Sequence, residues 1–325
     1  MMIETVDYII LAFEFISCIF YTIVAFYFAS KITKKDKENM NSFYSAFIIG
    51  YFIDQLELAK TIVFVTIPSF GLFTEFYRDN PIPGYMIGAL GYFCTFASIL
   101  GSFTLSLNRL IATTFPFFYR SHYAKYCSFL NIFIQIVLPI IVFHHKFGKR
   151  DLLILDKNTQ RWVYSSENAA SSRYNNTVAA FFILTILIFQ IVCNILNFYK
   201  LISSKNNPSP IIEYKTNVSL VIYCSVATIG TATIALRYWI KYIGTYQTDF
   251  SLKNFGQTLG TWTSVITTCS EPYLLLIVNK SMRYEFFGFL LRRKNSVNVM
   301  SSSTNNNINV NNNPANTRYK VSRVQ

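Results

Sequence analysis

Residues 178–198 read VAAFFILTILIFQIVCNILNF, a run of 21 residues without a charged side chain. A helix of about 20 apolar residues crosses the roughly 30 Å of hydrocarbon in a bilayer. Only helices and closed barrels satisfy their backbone hydrogen bonds in that environment. The run therefore predicts a transmembrane helix, and its length is the measure for dividing the rest of the chain.

The same measure predicts seven membrane spans. The chain is 52% hydrophobic and only 14% charged, which leaves too little polar surface for a soluble protein. We therefore predict an all-α membrane protein in which residues 1–279 form one seven-transmembrane helical bundle. Its predicted spans are residues 6–29, 43–67, 85–107, 126–143, 178–198, 218–240 and 257–278.

Basic residues predict the orientation of the bundle, because Lys and Arg are retained on the cytoplasmic side of short loops. With the N-terminus outside, 15 Lys and Arg residues lie on the cytoplasmic side and 10 on the outer side. Glu4 and Asp7 precede the first span, four lysines follow it, and the first helix usually dominates orientation. We therefore expect the N-terminus outside and the C-terminus in the cytoplasm.

A glycosylation sequon, Asn175-Asn176-Thr177, lies in the long loop before the fifth span. The predicted orientation exposes this loop to the glycosylation machinery. We therefore expect a glycoprotein with its glycan on Asn175.

Two segments follow the bundle. Residues 280–294 place apolar side chains on one helical face between basic residues, which predicts a short amphipathic basic helix at the membrane; an ordinary basic stop-transfer flank is the alternative. Residues 295–325 are rich in Asn and Ser and cannot bury enough apolar surface to fold alone. We expect them to form a disordered cytoplasmic tail.

Several classes of function are excluded by the charge pattern and by the reactive residues. The net charge of +13 comes from short clusters between apolar runs, which favours contact with the bilayer and not with nucleic acid. All six cysteines lie within predicted spans, without the spacing of a metal site or a disulfide framework. His144 and His145 are adjacent, no third ligand joins them, and no nucleophile motif is present. We expect no enzyme, no metal and no cofactor.

The end of the third span, residues 107–119, reads LNRLIATTFPFFY. Arg109 lies about 24 residues, or roughly 36 Å of helix, beyond the start of the span, which predicts a position at the inner membrane interface. It is either a switch residue that pairs with other helices or with a signalling partner's backbone, or an interfacial side chain that snorkels to water.

Charged residues within spans two and seven are expensive in hydrocarbon and predict a functional network. Glu57 and Lys60 are three residues apart and can form an ion pair along the helix. Asp54 and Glu271 have no cation nearby in sequence, so one is protonated or the two share a cation or water network. Pro272 removes a backbone hydrogen bond and provides either a hinge or a kink that serves packing alone.

These features resemble the nematode serpentine chemoreceptors of the Srg superfamily over roughly residues 6–293, with a similar match to the gamma-type and v-type classes. The resemblance rests on the Asn108-Arg109 pair followed by Phe-Pro and Tyr119, on Asp54 within the stretch FYSAFIIGYFID, and on Pro272. It implies a G-protein-coupled chemoreceptor in the plasma membrane of sensory cilia, with a heterotrimeric G protein as partner. The residues implied in coupling or switching are Asn108, Arg109, Tyr119, Asp54, Glu271 and Pro272.

A small lipophilic ligand is expected between the outer halves of the helices, where aromatic side chains with a few hydroxyls form the predicted walls. An ion channel or transporter that uses Asp54, Glu57, Lys60 and Glu271 is the alternative, and a structural or trafficking protein is a third possibility. The predicted ligand-binding residues are Tyr92, Phe96, Phe182, Thr185, Thr261 and Trp262.

Overall fold

Long helices make up most of the computed structural model of this protein, which describes residues 5–33, 38–119, 124–156, 161–166, 169–204, 211–247 and 250–299. The predicted all-α class is confirmed. The helices are α1 (Thr5–Thr33), α2 (Glu38–Lys60), α3 (Ile67–Ser69), α4 (Thr74–Asp79), α5 (Pro81–Thr114), α6 (Pro116–Phe118), α7 (Ala124–Ile132), α8 (Leu138–Phe143), α9 (Ala169–Ser204), α10 (Ile211–Tyr246), α11 (Phe250–Val278) and α12 (Lys280–Val299).

Five of the seven predicted spans fall within a single helix, and the second and fourth each cover two α-helices joined by a π-helical turn. Among the described residues, five helices are long and apolar enough to cross a membrane by length and composition, and α11 adds a shorter apolar stretch, Val265–Val278. The second span carries Asp54, Glu57 and Lys60, which lower its hydropathy. The five helices are Tyr8–Ile32, Pro81–Thr114, Tyr126–Lys146, Ala170–Ser203 and Val218–Tyr246.

Prolines explain why the second and fourth spans are not uniform α-helices. A π-helical turn, Thr61–Thr66, joins α2 to α3, and another, Phe133–Val137, joins α7 to α8. Pro68 and Pro139 follow these turns by two residues. Proline lacks the N–H that would donate to the carbonyl four residues earlier and its ring clashes with that carbonyl, so the helix widens before it.

The helix α5 is the centre of the bundle. It packs against α2, α8, α9 and α10, while α1 packs against α2 and α11, and α11 packs against α10. The main apolar core lies where α5, α8, α9 and α10 meet and is built from residues such as Phe96, Phe143, Ile183 and Tyr238. Helices from both halves of the chain thus converge on α5.

A β-hairpin between α8 and α9 covers one end of the bundle, which we call the hairpin end. Its strands β1 (Asp151–Asp156) and β2 (Arg161–Ser166) pair antiparallel. Gly84 permits this docking, because a Cβ there would overlap the backbone oxygen of Asp151. The buried Lys146 forms an ion pair with the partly exposed Asp151 at 2.9 Å. Loss of solvation raises the pKa of Tyr164 in β2 to about 12, as expected for a hairpin with one covered face.

The described residues up to Tyr284 belong to one compact unit, and those from Glu285 onward belong to a second. The junction of α11 and α12 is capped from both sides: Arg283 Nη1 donates to the carbonyls of Leu276 and Ile277 at 3.3 and 3.0 Å, and Asn279 Oδ1 accepts from the backbone of Met282 at 3.1 Å. The helix runs to Val299, five residues beyond the predicted basic helix. The rest of the predicted tail, 300–325, lies outside the described residues.

Candidate functional site

Two carboxyl groups from distant parts of the chain meet at one phenol in the middle of the bundle. Tyr21 of α1 places its hydroxyl 2.9 Å from Asp54 Oδ2 and 3.3 Å from Glu271 Oε2. Ser98 donates to Asp54 Oδ1 at 2.9 Å, and Ser102 donates to Glu271 Oε1 at 3.3 Å. The predicted acids of α2 and α11 are therefore brought together, by two α5 hydroxyls and a tyrosine that sequence reasoning missed. We call these five residues the carboxyl network.

The carboxyl network has more acceptor capacity than the phenol can satisfy. A tyrosine hydroxyl has one proton to donate, yet it faces an oxygen of each carboxyl group. In the part of the chain that the structure describes, no Lys or Arg forms an ion pair with Asp54 or Glu271. Two ionised carboxylates without a cation are costly in hydrocarbon, so the pair needs a proton or another cation between them.

The ion pair predicted within α2 is present. Lys60 Nζ lies 2.6 Å from Glu57 Oε1, and both side chains are buried. Because Lys60 is paired with Glu57, it does not neutralise Asp54 or Glu271, and neither acid has a basic partner within the described ranges.

A further acid, Glu14 of α1, was not predicted to have a role. Its side chain is 1% exposed and neither carboxyl oxygen has a hydrogen-bond partner within the described residues. The sequence feature that could have singled it out is the presence of an acidic residue inside the apolar run that begins at Tyr8.

Arg109 lies buried at the end of α5 opposite the hairpin. It is 6% exposed, and its Cζ stands 5.0 Å from the centre of the Phe43 ring. Nε and Nη2 have no hydrogen-bond partner among the described residues. A snorkelling side chain would extend to water, whereas this guanidinium is held under an aromatic ring of α2.

The residues around Arg109 combine a buried face with an exposed one. Asn108 is buried with its Oδ1 3.9 Å from Cys127 Sγ, and Tyr119 packs with Cys127 in a small core. Between them, Phe117 of α6 is 89% exposed. The predicted coupling residues Asn108, Arg109 and Tyr119 thus lie at one end of the bundle, beside an exposed aromatic side chain.

Pro272 is buried next to Glu271 and lies within a continuous α11. The carboxyl network therefore sits at the point where α11 lacks a backbone hydrogen bond.

Only part of the predicted ligand wall comes together. The Phe96 ring centre lies 5.6 Å from that of Phe182, and the Tyr92 ring centre lies 5.1 Å from that of Phe143. Tyr238, which sequence reasoning missed along with Phe143, lies 5.5 Å from Phe96. We call these five residues the aromatic cluster, and all of them lie towards the hairpin end.

Two of the other predicted wall residues, Thr185 and Trp262, do not join the aromatic cluster. Thr185 is exposed and donates to the carbonyl of Phe181 one turn earlier, and Trp262 is 42% exposed. Both differ from the expectation because their helix faces turn away from the bundle interior. The side chain of Thr261 lies outside the part that the structure describes.

The expectation of a glycan on Asn175 disagrees with the structure. The side chain is 0% exposed within α9. Its Oδ1 is in close contact with His145 Nε2, and its Nδ2 donates to Ser171 at 3.4 Å. A side chain packed in this way has no room for a glycan.

Comparison with known proteins gives one family. A family model described as serpentine type 7TM GPCR chemoreceptor Srv matches residues 8–290. No curated protein matches the chain. The matched range contains the carboxyl network, Arg109 and the aromatic cluster.

Proposed function

Because this chain belongs to the Srv family of serpentine seven-transmembrane GPCR chemoreceptors, we propose that it binds a small lipophilic ligand towards the hairpin end and signals from the opposite end to a heterotrimeric G protein. Membership in this family makes the protein a multi-pass membrane receptor and not an enzyme. The match is to the v-type class and not to the gamma-type class. We further propose that the N-terminus and hairpin end face outside, and that the protein resides in the plasma membrane of sensory cilia.

The observation that carries the proposal is the buried, incompletely paired guanidinium of Arg109. A guanidinium has five N–H donors, and Nε and Nη2 have no acceptor among the described residues. Each buried unsatisfied donor costs about 1–3 kcal/mol. A signalling partner that inserts backbone carbonyls at this end would satisfy these donors, and so would favour the receptor conformation that admits it.

The exposed aromatic residues next to Arg109 support the same end as the coupling surface. Phe115, Phe117 and Phe118 surround Pro116 and are all exposed. Aromatic side chains are frequent anchors of protein interfaces. A G protein that contacts Arg109 would bury these rings as well.

Between the two ends, the carboxyl network supports a role as the switch. It joins α1, α2, α5 and α11 through hydroxyl–carboxyl hydrogen bonds. A shift of α11 about Pro272 would separate Glu271 from Tyr21 and change how the shared proton or cation is held. Ligand binding at one end and coupling at the other would then bias the same two-state element.

The aromatic cluster supports a ligand with a large apolar part. It contributes five rings from α5, α8, α9 and α10, and aromatic walls with few polar groups suit small lipophilic molecules. We replace Thr185 and Trp262 in the proposed site by Phe143 and Tyr238, since these pack with Phe96.

An ion channel or transporter through Asp54, Glu57, Lys60 and Glu271 is the alternative. The ion pair between Glu57 and Lys60 neutralises two of these four groups, and the receptor family match covers all of them. We therefore favour the receptor, and the test below also records currents.

The test is G-protein activation in membranes that contain the wild type, Arg109→Ala or the control Arg78→Ala, over a panel of odorant-like compounds with surface expression measured. Arg78 carries the same charge but is exposed and paired with Asp79. We expect a response in the wild type and the control that is lost in Arg109→Ala. An undiminished response in Arg109→Ala would refute coupling through this residue, and a ligand-gated current without G protein would favour the channel.

A further inference from the structure

The helices α10 and α11 pack in a regular antiparallel register that places two cations of α10 over two glycines of α11. A Cβ on Gly260 would overlap the guanidinium of Arg237, and a Cβ on Gly256 would come 2.8 Å from Lys241 Cγ. Glycines four residues apart normally let a second helix backbone approach closely. We call the gap left by Gly256 and Gly260 the glycine notch. The side chains of Arg237 and Lys241 fill it in place of a second helix backbone.

Arg237 is held in the glycine notch, and no acidic side chain in the described part of the chain neutralises it. Its Nη1 donates to the carbonyl of Gly260 at 3.3 Å, while its buried Nε has no hydrogen-bond partner among the side chains that the structure describes. Among the described residues, no carboxylate lies within ion-pair distance of it. Lys146, the buried cation nearby at the hairpin end, differs because Asp151 pairs with it at 2.9 Å.

The charge of Arg237 stands at the edge of the aromatic cluster. Its Cζ lies 5.3 Å from the centre of the Tyr238 ring, and that ring lies 5.5 Å from Phe96. A ligand with its apolar body against the cluster therefore has a fixed cation within reach of one end.

We propose that Arg237, held over the glycine notch, binds an anionic oxygen group, such as a carboxylate, carried by the lipophilic ligand. The planar guanidinium presents paired donors that match a carboxylate. This inference rests on the proposed function, since it names the chemical class of the receptor's ligand.

An anionic lipid headgroup offers the same chemistry as a free carboxylate, and basic side chains near a membrane surface attract such lipids. The experiment must therefore separate the two sources. It uses the full chain in nanodiscs of phosphatidylcholine, or of phosphatidylcholine with added phosphatidylglycerol, and no G protein.

The measurement is the dissociation constant of two matched probes, phenylpropanoate and phenylpropanol, by calorimetry. A charge-assisted hydrogen-bond pair predicts that the wild type in phosphatidylcholine binds the acid about tenfold to a hundredfold more tightly than the alcohol. Arg237→Gln should reduce that ratio to near one. Arg78→Gln, which removes an exposed charge, should leave it unchanged.

A second pair of variants tests the proposal independently, in case Arg237→Gln does not fold. Gly260→Ala keeps the arginine but pushes its guanidinium out of the glycine notch, and it should also lower the acid preference. Gly50→Ala is the control, because no described atom lies within 4 Å of a Cβ at that position.

Equal affinity for the acid and the alcohol in the wild type, binding of neither probe, or an acid preference that persists in Arg237→Gln would overturn the proposal. If the chains that keep Arg237 lose their preference for the acid when phosphatidylglycerol is added to the nanodiscs, the anion bound by Arg237 is a lipid headgroup. Because binding is measured without G protein, failure of the Arg109 test would overturn coupling and leave this result intact.

Discussion

Removal of one hydroxyl group from the carboxyl network tests whether that network stabilises the bundle. In Tyr21→Phe the ring remains and keeps its edge-to-face packing on Tyr51, with the ring centres 5.3 Å apart. What is lost is the donor that lies 2.9 Å from Asp54 and 3.3 Å from Glu271. The variant therefore isolates the hydrogen bonding of the phenol from its packing.

The expected magnitude follows from the acceptors that remain. A hydrogen bond to a charged group contributes about 1.5–3 kcal/mol. Asp54 keeps the hydrogen bond from Ser98, and Glu271 keeps the one from Ser102, so neither carboxyl group is left bare. We expect the free energy of unfolding to fall by about 2 kcal/mol, at the lower part of that range.

Tyr51→Phe is the matched control. Its hydroxyl lies 3.0 Å from Thr22 Oγ1, so the same substitution removes a neutral hydrogen bond of about 0.5–1.5 kcal/mol. The assay is equilibrium unfolding in mixed micelles with increasing SDS. Tyr21→Phe should cost about 1 kcal/mol more than Tyr51→Phe.

A double-mutant cycle with Asp54→Asn identifies the acceptor. If the phenol donates to the ionised Asp54, the effect of Tyr21→Phe should shrink in the Asp54→Asn background by about 1 kcal/mol. Equal losses in Tyr21→Phe and Tyr51→Phe, together with no coupling in the cycle, would refute the idea that the phenol holds the two acids together. Unchanged signalling in Asp54→Asn would separately refute its role as a switch.

Two further predictions concern the hairpin end. Gly91→Ala should raise the free energy of unfolding by up to about 1 kcal/mol through helix propensity, because no atom of the described residues lies within 4 Å of a Cβ at that position. Gly84→Ala should instead lower the free energy of unfolding and speed amide exchange in β1 and β2. Equal thermal unfolding of the two variants would contradict the docking of the hairpin on α5. Asn175 should carry no glycan, so treatment of the wild-type chain with an endoglycosidase should leave its gel mobility equal to that of Asn175→Gln; a shift confined to the wild type would show that the side chain is accessible during synthesis.

The sequence by itself determined the helical class and the number of spans. Hydrocarbon offers no hydrogen bonds to the backbone, so a segment such as residues 178–198 must satisfy its own, and this demand is local to the segment. The position of a residue along its own helix likewise depends only on the number of residues that separate it from the start of that helix. For that reason the rise per residue was sufficient to predict Arg109 near the end of α5, and a spacing of three was sufficient to pair Glu57 with Lys60.

Only the tertiary structure decided which side chains meet. The rotation of each helix about its own axis determines which face turns inward, and that rotation depends on contacts with residues far away in the chain. Tyr21 therefore reaches Asp54 and Glu271, whereas Thr185 turns outward and Asn175 is buried. Arg237 comes to rest over Gly260 for the same reason: the register between α10 and α11 is a property of the packed pair and is not encoded in the hydropathy of either helix.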